Sequence, residues 1–180
     1  VDDIKRQPGI LPTIDAGDWT KRYVTAPKLD RGVCFYGKPG RGKSYLSAVI
    51  CNRLISAKMH VRWVAVAQFI DKSRERIGAR LNKLPFADVD LMSASTFALT
   101  RPHIRALVLD DLGRESGSPD HFAEEMTPFV ERTLFELVDH FTAPQRRLII
   151  TTNMVPAQLQ KYLPAAVWDR IQGAYHLVAV

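Results

Sequence analysis

The sequence predicts an α/β fold in which helices cover both faces of a mostly parallel sheet. Short apolar runs alternate along the chain with longer segments whose apolar residues recur at helical spacing. The apolar runs are too continuous to leave one strand face in water, which favours a sheet that is buried on both sides. With 180 residues, of which 46% are hydrophobic and 24% charged, the chain has the size and composition of one globular unit.

The first half of the chain predicts an arm followed by two strand and helix pairs. Residues 1–30 are rich in Pro, Gly and Asp and predict an arm or linker, and residues 31–180 predict the core. In the core, "GVCFYG" and "HVRWVAVA" (60–67) predict strands, whereas "SYLSAVICNRLISA" and "AQFIDKSRERIGARL" predict helices. Trp63 lies in the second apolar run, so we expect it in the core.

The second half continues the alternation. "ALVLD" (106–110) predicts a strand that ends at Asp110, and a long helix is expected to start with Thr127 as N-cap and Pro128 at its first position. "RRLIITTN" (146–153) and "AYHLVAV" (174–180) predict two more strands. Two short helices, "VPAQLQKYL" and "PAAVWDRI", are predicted between them, with Trp168 in the core.

The bulk properties narrow the functional classes. A net charge of +6 and a pI near 9.5 favour polyanionic partners. No apolar run approaches the roughly 20 residues of a membrane span, and no signal-like segment opens the chain, so we expect a soluble, cytoplasmic protein. Cys34 and Cys51 match neither a disulfide framework nor a metal site, and both are predicted to be small buried hydrophobes.

A phosphate-binding loop is predicted between the first strand and the first core helix. The stretch "GKPGRGKS" fits the pattern GxxxxGK[ST] residue for residue. A glycine-rich turn lets backbone N–H groups point at phosphate oxygens, and the following helix adds its positive N-terminal end. ATP and Mg²⁺ are therefore the predicted cofactors. The predicted nucleotide-binding residues are Gly37, Lys38, Pro39, Gly40, Arg41, Gly42, Lys43, Ser44 and Tyr45.

Two adjacent aspartates follow the apolar run "ALVL" and suggest a division of roles. Asp110 is predicted to hold Mg²⁺ through water, together with the Ser44 hydroxyl, and Asp111 to act as general base on the attacking water. Side chains alternate faces along a strand, so both can serve one site only if the strand ends here and the backbone turns. Gly113 makes such a turn plausible. The alternative is a pair of solvated carboxylates at the start of a loop.

Lys43 is predicted to reach the β- and γ-phosphates, and Asn153 and Arg170 complete the predicted catalytic set with Lys43 and Asp111. Asn153 closes "LIITTN" and could hold the water or sense the γ-phosphate; otherwise it is a loop cap. Arg170, in "WDRI", could reach the nucleotide of a neighbouring subunit, which requires a head-to-tail assembly that forms rings or helical filaments. The alternative for Arg170 is a structural pair with Asp169.

With these motifs in order, the chain resembles the AAA+ ATPases of the DnaC/IstB type, which are helicase loaders and transposition helpers. The resemblance runs from about residue 32 to residue 171 and depends on "GKPGRGKS", "VLDDLG", "IITTN" and "DRI". It implies a P-loop NTPase three-layer sandwich whose five-stranded sheet has the order 5-1-4-3-2. It also implies an ATP-dependent switch that assembles on single-stranded DNA and delivers a replicative helicase, with Asp110, Asp111, Asn153 and Arg170 in the roles given above.

The chain also departs from that pattern. Loaders carry a helicase-binding region ahead of the core, and only about 30 residues precede the phosphate loop here. We therefore expect that partner binding either lies in a missing segment or is absent. A second sensor arginine has no candidate after Arg170. Asp111 stands where most relatives have Glu, whose side chain is longer by about 1.5 Å, so we expect slow hydrolysis.

Basic and aromatic side chains outside these motifs suggest contacts with DNA or adenine. Four basic residues of "KSRERIGARLNK" could neutralise DNA phosphates, although a solvated helix face explains them equally well. They are Arg74, Arg76, Arg80 and Lys83. Trp19 and Tyr23 in the arm could cover the adenine or dock the arm on the core.

Several functions remain open at this point. A helicase loader and an IstB-like transposition helper share all of the predicted chemistry. A P-loop small-molecule kinase would need a mobile arginine-rich lid, which nothing in the sequence resembles. A nucleotide-dependent scaffold that does not hydrolyse ATP is the remaining alternative.

Overall fold

The computed structural model describes residues 16–25, 32–70, 101–113 and 128–180. These residues form five strands and five helices, and a further short helical segment at residues 66–70 follows the second strand. The elements are α1 (Ala16–Thr25), β1 (Gly32–Tyr36), α2 (Lys43–Ser56), β2 (His60–Ala65), β3 (Ile104–Leu112), α3 (Pro128–Thr142), β4 (Arg147–Thr152), α4 (Pro156–Tyr162), α5 (Ala165–Ala174) and β5 (Tyr175–Ala179).

The five strands form one parallel sheet in the order β2-β3-β4-β1-β5. Read from the other edge, this is the predicted order 5-1-4-3-2, so the predicted fold class is confirmed. Because the strands are parallel, the carboxyl ends of β1, β3 and β4 meet at one edge of the sheet. That edge carries the phosphate loop and the predicted aspartates.

Helices bury both faces of the sheet. On one face, Ile50 and Leu54 of α2 pack with Val108 and Ile149 of the sheet. On the other face, α3, α4 and α5 form the larger core cluster. Burying apolar side chains on both faces stabilises the sheet and explains why the polar residues of β3 and β4 lie near the strand ends. None of the helices in the described ranges has the length and apolar content needed to cross a membrane.

Strand β3 is longer than predicted and contains an irregularity. The register pairs Leu109 with Ile150 and Leu112 with Thr152, so β3 carries one more residue than β4 over this stretch. The strand therefore does not end at Asp110, as we predicted from the sequence. It passes through a β-bulge formed by Asp110 and Asp111 and ends at Leu112.

Of the two tryptophans that were predicted in the core, one is buried and the other is not. Trp168 is buried in the core, as predicted. Trp63 is 42% exposed, because β2 is an edge strand of the sheet and the indole is not fully covered. The apolar pattern of the run around Trp63 predicts a strand correctly, but it does not tell an edge strand from a central one.

Three smaller predictions can also be compared with the structure. Cys34 and Cys51 are free and buried, which confirms their prediction as core residues. Pro128 is the first residue of α3, as predicted, whereas Thr127 lies outside the described residues. The predicted second core helix is described only over residues 66–70.

The aromatic residues of α1 dock this helix on the core. The rings of Trp19 and Tyr23 stack at 4.8 Å. Trp19 also meets Phe35 of β1 at 5.9 Å and His176 of β5 at 5.5 Å in edge-on contacts. Both rings are buried, so in this structure they dock α1 on the core.

Candidate functional site

The phosphate loop connects β1 to α2 and depends on three glycines with positive φ. Gly37, Gly40 and Gly42 have φ values of 142°, 75° and 90°. Side chains are rare in this region of backbone space, so glycine is required for the shape of the loop. At Gly37 a Cβ would also collide with the carbonyl oxygen of Val180, whose N–H donates to the Tyr36 carbonyl. The last strand therefore supports the start of the loop.

Lys43 lies inside the loop and holds it closed. Its side chain is nearly buried, at 6% exposed, and its Nζ donates to the carbonyl oxygens of Gly37 and Lys38, each at 2.9 Å. These two bonds fix the position of the ammonium. A buried cation at the start of a helix is an arrangement that favours an anion.

The N-terminus of α2 is also open to an anion. Gly42 caps the helix without a side-chain hydrogen bond, and the first turn contains no acidic residue. The first N–H groups of a helix lack partners within the helix and carry partial positive charge. Ser44 and Tyr45 follow on this turn, and the Tyr45 side chain is 72% exposed. Lys38, Pro39 and Arg41 are exposed on the loop.

A hydrogen-bonded cluster joins the loop to the tips of β3 and β4. The Asp110 Oδ1 atom accepts from the Ser44 hydroxyl at 3.0 Å and from the Thr151 hydroxyl at 2.5 Å. Ser44 is the second residue of α2, Asp110 lies in the bulge of β3, and Thr151 is a buried residue of β4. The structure therefore brings together the two residues that the sequence predicts for the metal.

Thr151 also fixes the second aspartate. The backbone N–H of Asp111 donates to the Thr151 hydroxyl oxygen at 2.9 Å, while the same hydroxyl donates to Asp110. Asp111 has a φ of 58°, a left-handed conformation that Asp and Asn adopt more readily than most residues. We predicted that the chain turns at Gly113. That glycine has a φ of 95° and lies in the turn directly after β3, while the backbone irregularity at Asp111 is part of the bulge within the strand.

Thr152 repeats this pattern one residue further along β4. Its hydroxyl donates to the Leu112 carbonyl at 2.8 Å and accepts from the Met154 N–H at 3.1 Å. Its own carbonyl accepts from the Gly37 N–H at 3.3 Å, which ties β4 to the phosphate loop. Asn153, the predicted sensor, follows directly at this edge and is partly exposed. The sequence analysis missed the roles of both threonines, although the "TT" before Asn153 is a signal for them.

Trp63 is an unpredicted member of the cluster. Its indole Nε1 donates to the Oδ2 atom of Asp110 at 3.3 Å. Trp63 of β2 pairs with Val108 of β3, two residues before Asp110, so the indole crosses diagonally between neighbouring strands. No motif in the sequence indicates this contact, because it depends on which strand lies beside β3.

Arg170 lies on the helical layer opposite to α2. Its Nε donates to Asp139 of α3 at 2.9 Å, and its guanidinium lies 4.5 Å from the ring centroid of Phe135. The structural alternative in the sequence analysis was a pair with Asp169, and the residue that pairs with Arg170 is instead Asp139. The ion pair is partly exposed, with side-chain exposures of 35% and 57%. Such a pair contributes little to stability and can separate at low cost.

The donor set at the loop fits a magnesium nucleotide. Mg²⁺ prefers oxygen ligands and usually binds through one or two side chains, several waters and substrate phosphates. Ser44 and Asp110 offer a hydroxyl and a carboxylate, and Lys43 and the loop N–H groups are donors that phosphate oxygens would accept from. Among the described residues, His, Cys, Asp and Glu form no group of three that could hold a metal by itself.

A phosphate loop after β1, an acidic pair on β3 and a polar residue after β4, on a sheet of this order, define a P-loop nucleotide-binding protein. The model of the family described as "ATPase family associated with various cellular activities (AAA)" matches residues 33–176. The chain therefore belongs to the AAA family, which confirms the predicted membership.

One curated relative is the uncharacterized protein YdaV of Escherichia coli (strain K12), with 28% identity over 137 residues. The match covers 76% of this chain and 47% of YdaV, so the chain spans about half the length of this relative.

Solved structures with the same fold include proteins of replication initiation. The DnaC helicase loader has a TM-score of 0.66 and 17% identity, covering 94% of this chain and 93% of that one. DnaI has a TM-score of 0.64 and 20% identity, covering 94% and 87%. The initiator DnaA bound to AMPPCP and single-stranded DNA has a TM-score of 0.57 and 17% identity, covering 92% and 44%. At these identities the likeness concerns the fold.

Proposed function

We propose that this chain binds and hydrolyses ATP with Mg²⁺ and acts in DNA replication as a helicase loader that assembles on single-stranded DNA. The observation that carries the ATPase proposal is the cluster of Ser44, Asp110 and Thr151, which joins the phosphate loop to the adjacent aspartates. Membership of the AAA family supports the same activity.

Each residue of the site has a role in this proposal. Lys43 contacts the β- and γ-phosphates, while Ser44 and Asp110 hold the cation, Asp110 through water. Bound Mg²⁺ supplies positive charge to the phosphate oxygens. Asp111 orients the attacking water and accepts its proton, and Asn153 contacts this water or the γ-phosphate. Because Asp111 is shorter than Glu, we expect the hydrolysis to be slow.

The role in replication rests on charge and on the structural neighbours. The net charge of +6 favours a polyanionic partner. Two proteins with the same fold are named as a helicase loader and as an initiator bound to single-stranded DNA. The predicted DNA contacts lie outside the described residues and stay predictions: Arg74, Arg76, Arg80 and Lys83. A replicative helicase as partner and a cytoplasmic location belong to the same proposal.

Arg170 supports the proposal of a head-to-tail homo-oligomer. It is held by Asp139 and Phe135 on the layer opposite to α2, and it is partly exposed. An arginine there is available to a second copy of the chain, whose nucleotide it would contact. Because the interface joins two different surfaces, repeated assembly gives a ring or a helical filament.

The test is an ATPase assay with and without single-stranded DNA, on wild type and Lys43→Ala. We expect DNA to stimulate turnover and Lys43→Ala to abolish it, because the substitution removes the buried ammonium. Lys161→Ala, which removes an exposed lysine of α4, is the control for the loss of charge and should behave as wild type.

Other results would overturn this function. ADP release that requires an added phosphate acceptor indicates a small-molecule kinase, and nucleotide binding without turnover indicates a scaffold. Co-purification with a hexameric helicase supports the loader. Co-purification with a transposase instead indicates an IstB-like helper.

A further inference from the structure

Asp110 receives hydrogen bonds on both of its carboxylate oxygens, and the two oxygens have different partners. Oδ1 accepts from the hydroxyls of Ser44 and Thr151, at 3.0 and 2.5 Å. Oδ2 accepts from the indole N–H of Trp63 at 3.3 Å. The carboxylate therefore has a defined rotation, in which Oδ1 faces Ser44 and the N-terminus of α2.

The indole is suited to fix that rotation. Its Nε1 is a donor only, so it neither binds a cation nor accepts a hydrogen bond from a water on a cation. Ser44 and Thr151 both bind Oδ1, and within the described residues the contact to Oδ2 comes from Trp63. By occupying Oδ2, the indole leaves Oδ1 as the oxygen that faces the cation site.

The position of Trp63 indicates a role other than core packing. Trp19 and Trp168 are buried at 8% and 6% exposed, whereas Trp63 is 42% exposed on the edge strand β2. An indole that is only partly buried gives up part of the stabilisation that a core position provides. Its polar contact to Asp110 accounts for its orientation.

We propose that Trp63 is a positioning residue for magnesium, which holds the Asp110 carboxylate in the rotation that the cation requires. This inference rests on the proposed binding of a magnesium nucleotide. Partners that orient a metal ligand typically contribute a factor of about 10 to 100 in metal affinity. Asp110 is proposed to act through water, so we expect an effect at the lower end of this range.

The experiment measures how the binding of a fluorescent, non-hydrolysable ATP analogue depends on MgCl₂, in wild type and Trp63→Phe. We expect the half-saturating MgCl₂ concentration to rise about tenfold in Trp63→Phe, with nucleotide affinity in EDTA unchanged. Trp63→His restores a ring N–H donor and should recover most of the loss at a pH where the imidazole is neutral. Trp168→Phe removes an indole from the core and should leave the magnesium dependence as in wild type.

Two results would overturn the inference. One is a half-saturating MgCl₂ concentration that is the same in wild type and Trp63→Phe. The other is a loss of nucleotide affinity that is equal with MgCl₂ and with EDTA, which indicates a structural role. If wild type itself binds the analogue without any effect of MgCl₂, it is the proposed function that fails.

A second measurement does not require the variant to fold. Wild type labelled with 5-fluorotryptophan has three ¹⁹F resonances, one for each Trp. The largest shift between H₂O and D₂O identifies Trp63, because it is the most exposed of the three. We expect this resonance to move when MgCl₂ is added to the nucleotide complex, and an unchanged resonance contradicts the inference.

Discussion

Asp111 has a backbone conformation that limits which side chains can occupy its position. Its φ of 58° lies in the left-handed region, a conformation that costs most residues about 1–2 kcal/mol of free energy and costs Asp and Asn less. An aspartate at this proposed catalytic position thus fits the bulge of β3 better than a glutamate would. The shorter acid and the turned backbone occur together in this chain.

The first prediction separates catalysis from backbone strain at this residue. Asp111→Asn should keep ATP binding and thermal stability, because Asn tolerates the same φ, while turnover falls by about 10²–10⁴-fold through loss of the general base. Asp111→Ala should lose turnover and also about 1 kcal/mol of unfolding free energy. Steady-state ATPase assays and urea unfolding measure the two effects. Turnover that survives in Asp111→Asn would show that another group activates the water.

The second prediction concerns the two thiols. Burial raises the pKa of the Cys34 thiol to about 12 and that of Cys51 to about 11. The thiolate is the reactive form, so both residues should react slowly with a thiol reagent at pH 8 in the native protein. In guanidinium chloride both should react at the rate of a free cysteine. Fast native labelling of either residue would contradict the burial described here.

At the scale of elements, the hydroxyls of two adjacent residues of β4, Thr151 and Thr152, bind the bulged end of β3. Thr151 is fully buried, donates to Asp110 and accepts from the Asp111 N–H. Loop, bulge and β4 are therefore held together by polar contacts at the carboxyl edge of an otherwise apolar sheet.

The third prediction tests this junction. Thr151→Val keeps the shape of the side chain and removes the hydroxyl, so it should cost about 1–3 kcal/mol of unfolding free energy and also raise the MgCl₂ requirement for nucleotide binding. Thr151→Ser keeps the hydroxyl and should retain the magnesium dependence of wild type. Chemical unfolding and nucleotide titrations provide the readouts. Equal magnesium dependence in Thr151→Val and wild type would argue that the Thr151 hydroxyl does not position Asp110 for the cation.

The fourth prediction concerns the start of the phosphate loop. Gly37→Ala should destabilise the fold and weaken nucleotide binding, because φ is 142° and the new Cβ meets the backbone carbonyl of Val180. Gly40→Ala is the matched comparison: its φ is also positive, at 75°, but its Cβ would meet no atom within 4 Å. We expect the larger loss of melting temperature in Gly37→Ala. A similar loss in both variants would show that backbone strain causes it, and that the collision with Val180 does not.

At the scale of the whole molecule, Arg170 and the proposed nucleotide site lie on opposite faces of the sheet. Arg170 is bound by Asp139 and Phe135 of α3, and Lys43 begins α2 on the opposite face of the sheet. One copy of the chain can therefore offer Arg170 on one surface and its nucleotide on another. This is the arrangement that a head-to-tail assembly needs.

The fifth prediction tests whether Arg170 acts between subunits. Arg170→Ala should bind ATP normally and lose turnover, and so should Asp111→Asn. A mixture of the two variants should recover activity wherever an intact Asp111 site meets an intact Arg170, at about a quarter of the interfaces in a random assembly. An inactive mixture, or weaker ATP binding by Arg170→Ala alone, would contradict a role in trans.

The sequence by itself determined the fold class, the phosphate loop and the pairing of Ser44 with Asp110. These features are local: apolar periodicity reports burial, and the loop needs glycines and a lysine at fixed spacing. The prediction of the sheet order came from the resemblance to a family and not from spacing, and the structure confirmed it.

Only the tertiary structure decided which side chains surround Asp110. Trp63 and Thr151 reach it from two neighbouring strands that are distant in the sequence, and Asp139 reaches Arg170 from another helix. The bulge at Asp111 likewise depends on the register between β3 and β4. Strand order and register are set by packing across the whole sheet, so no pattern within one segment contains them.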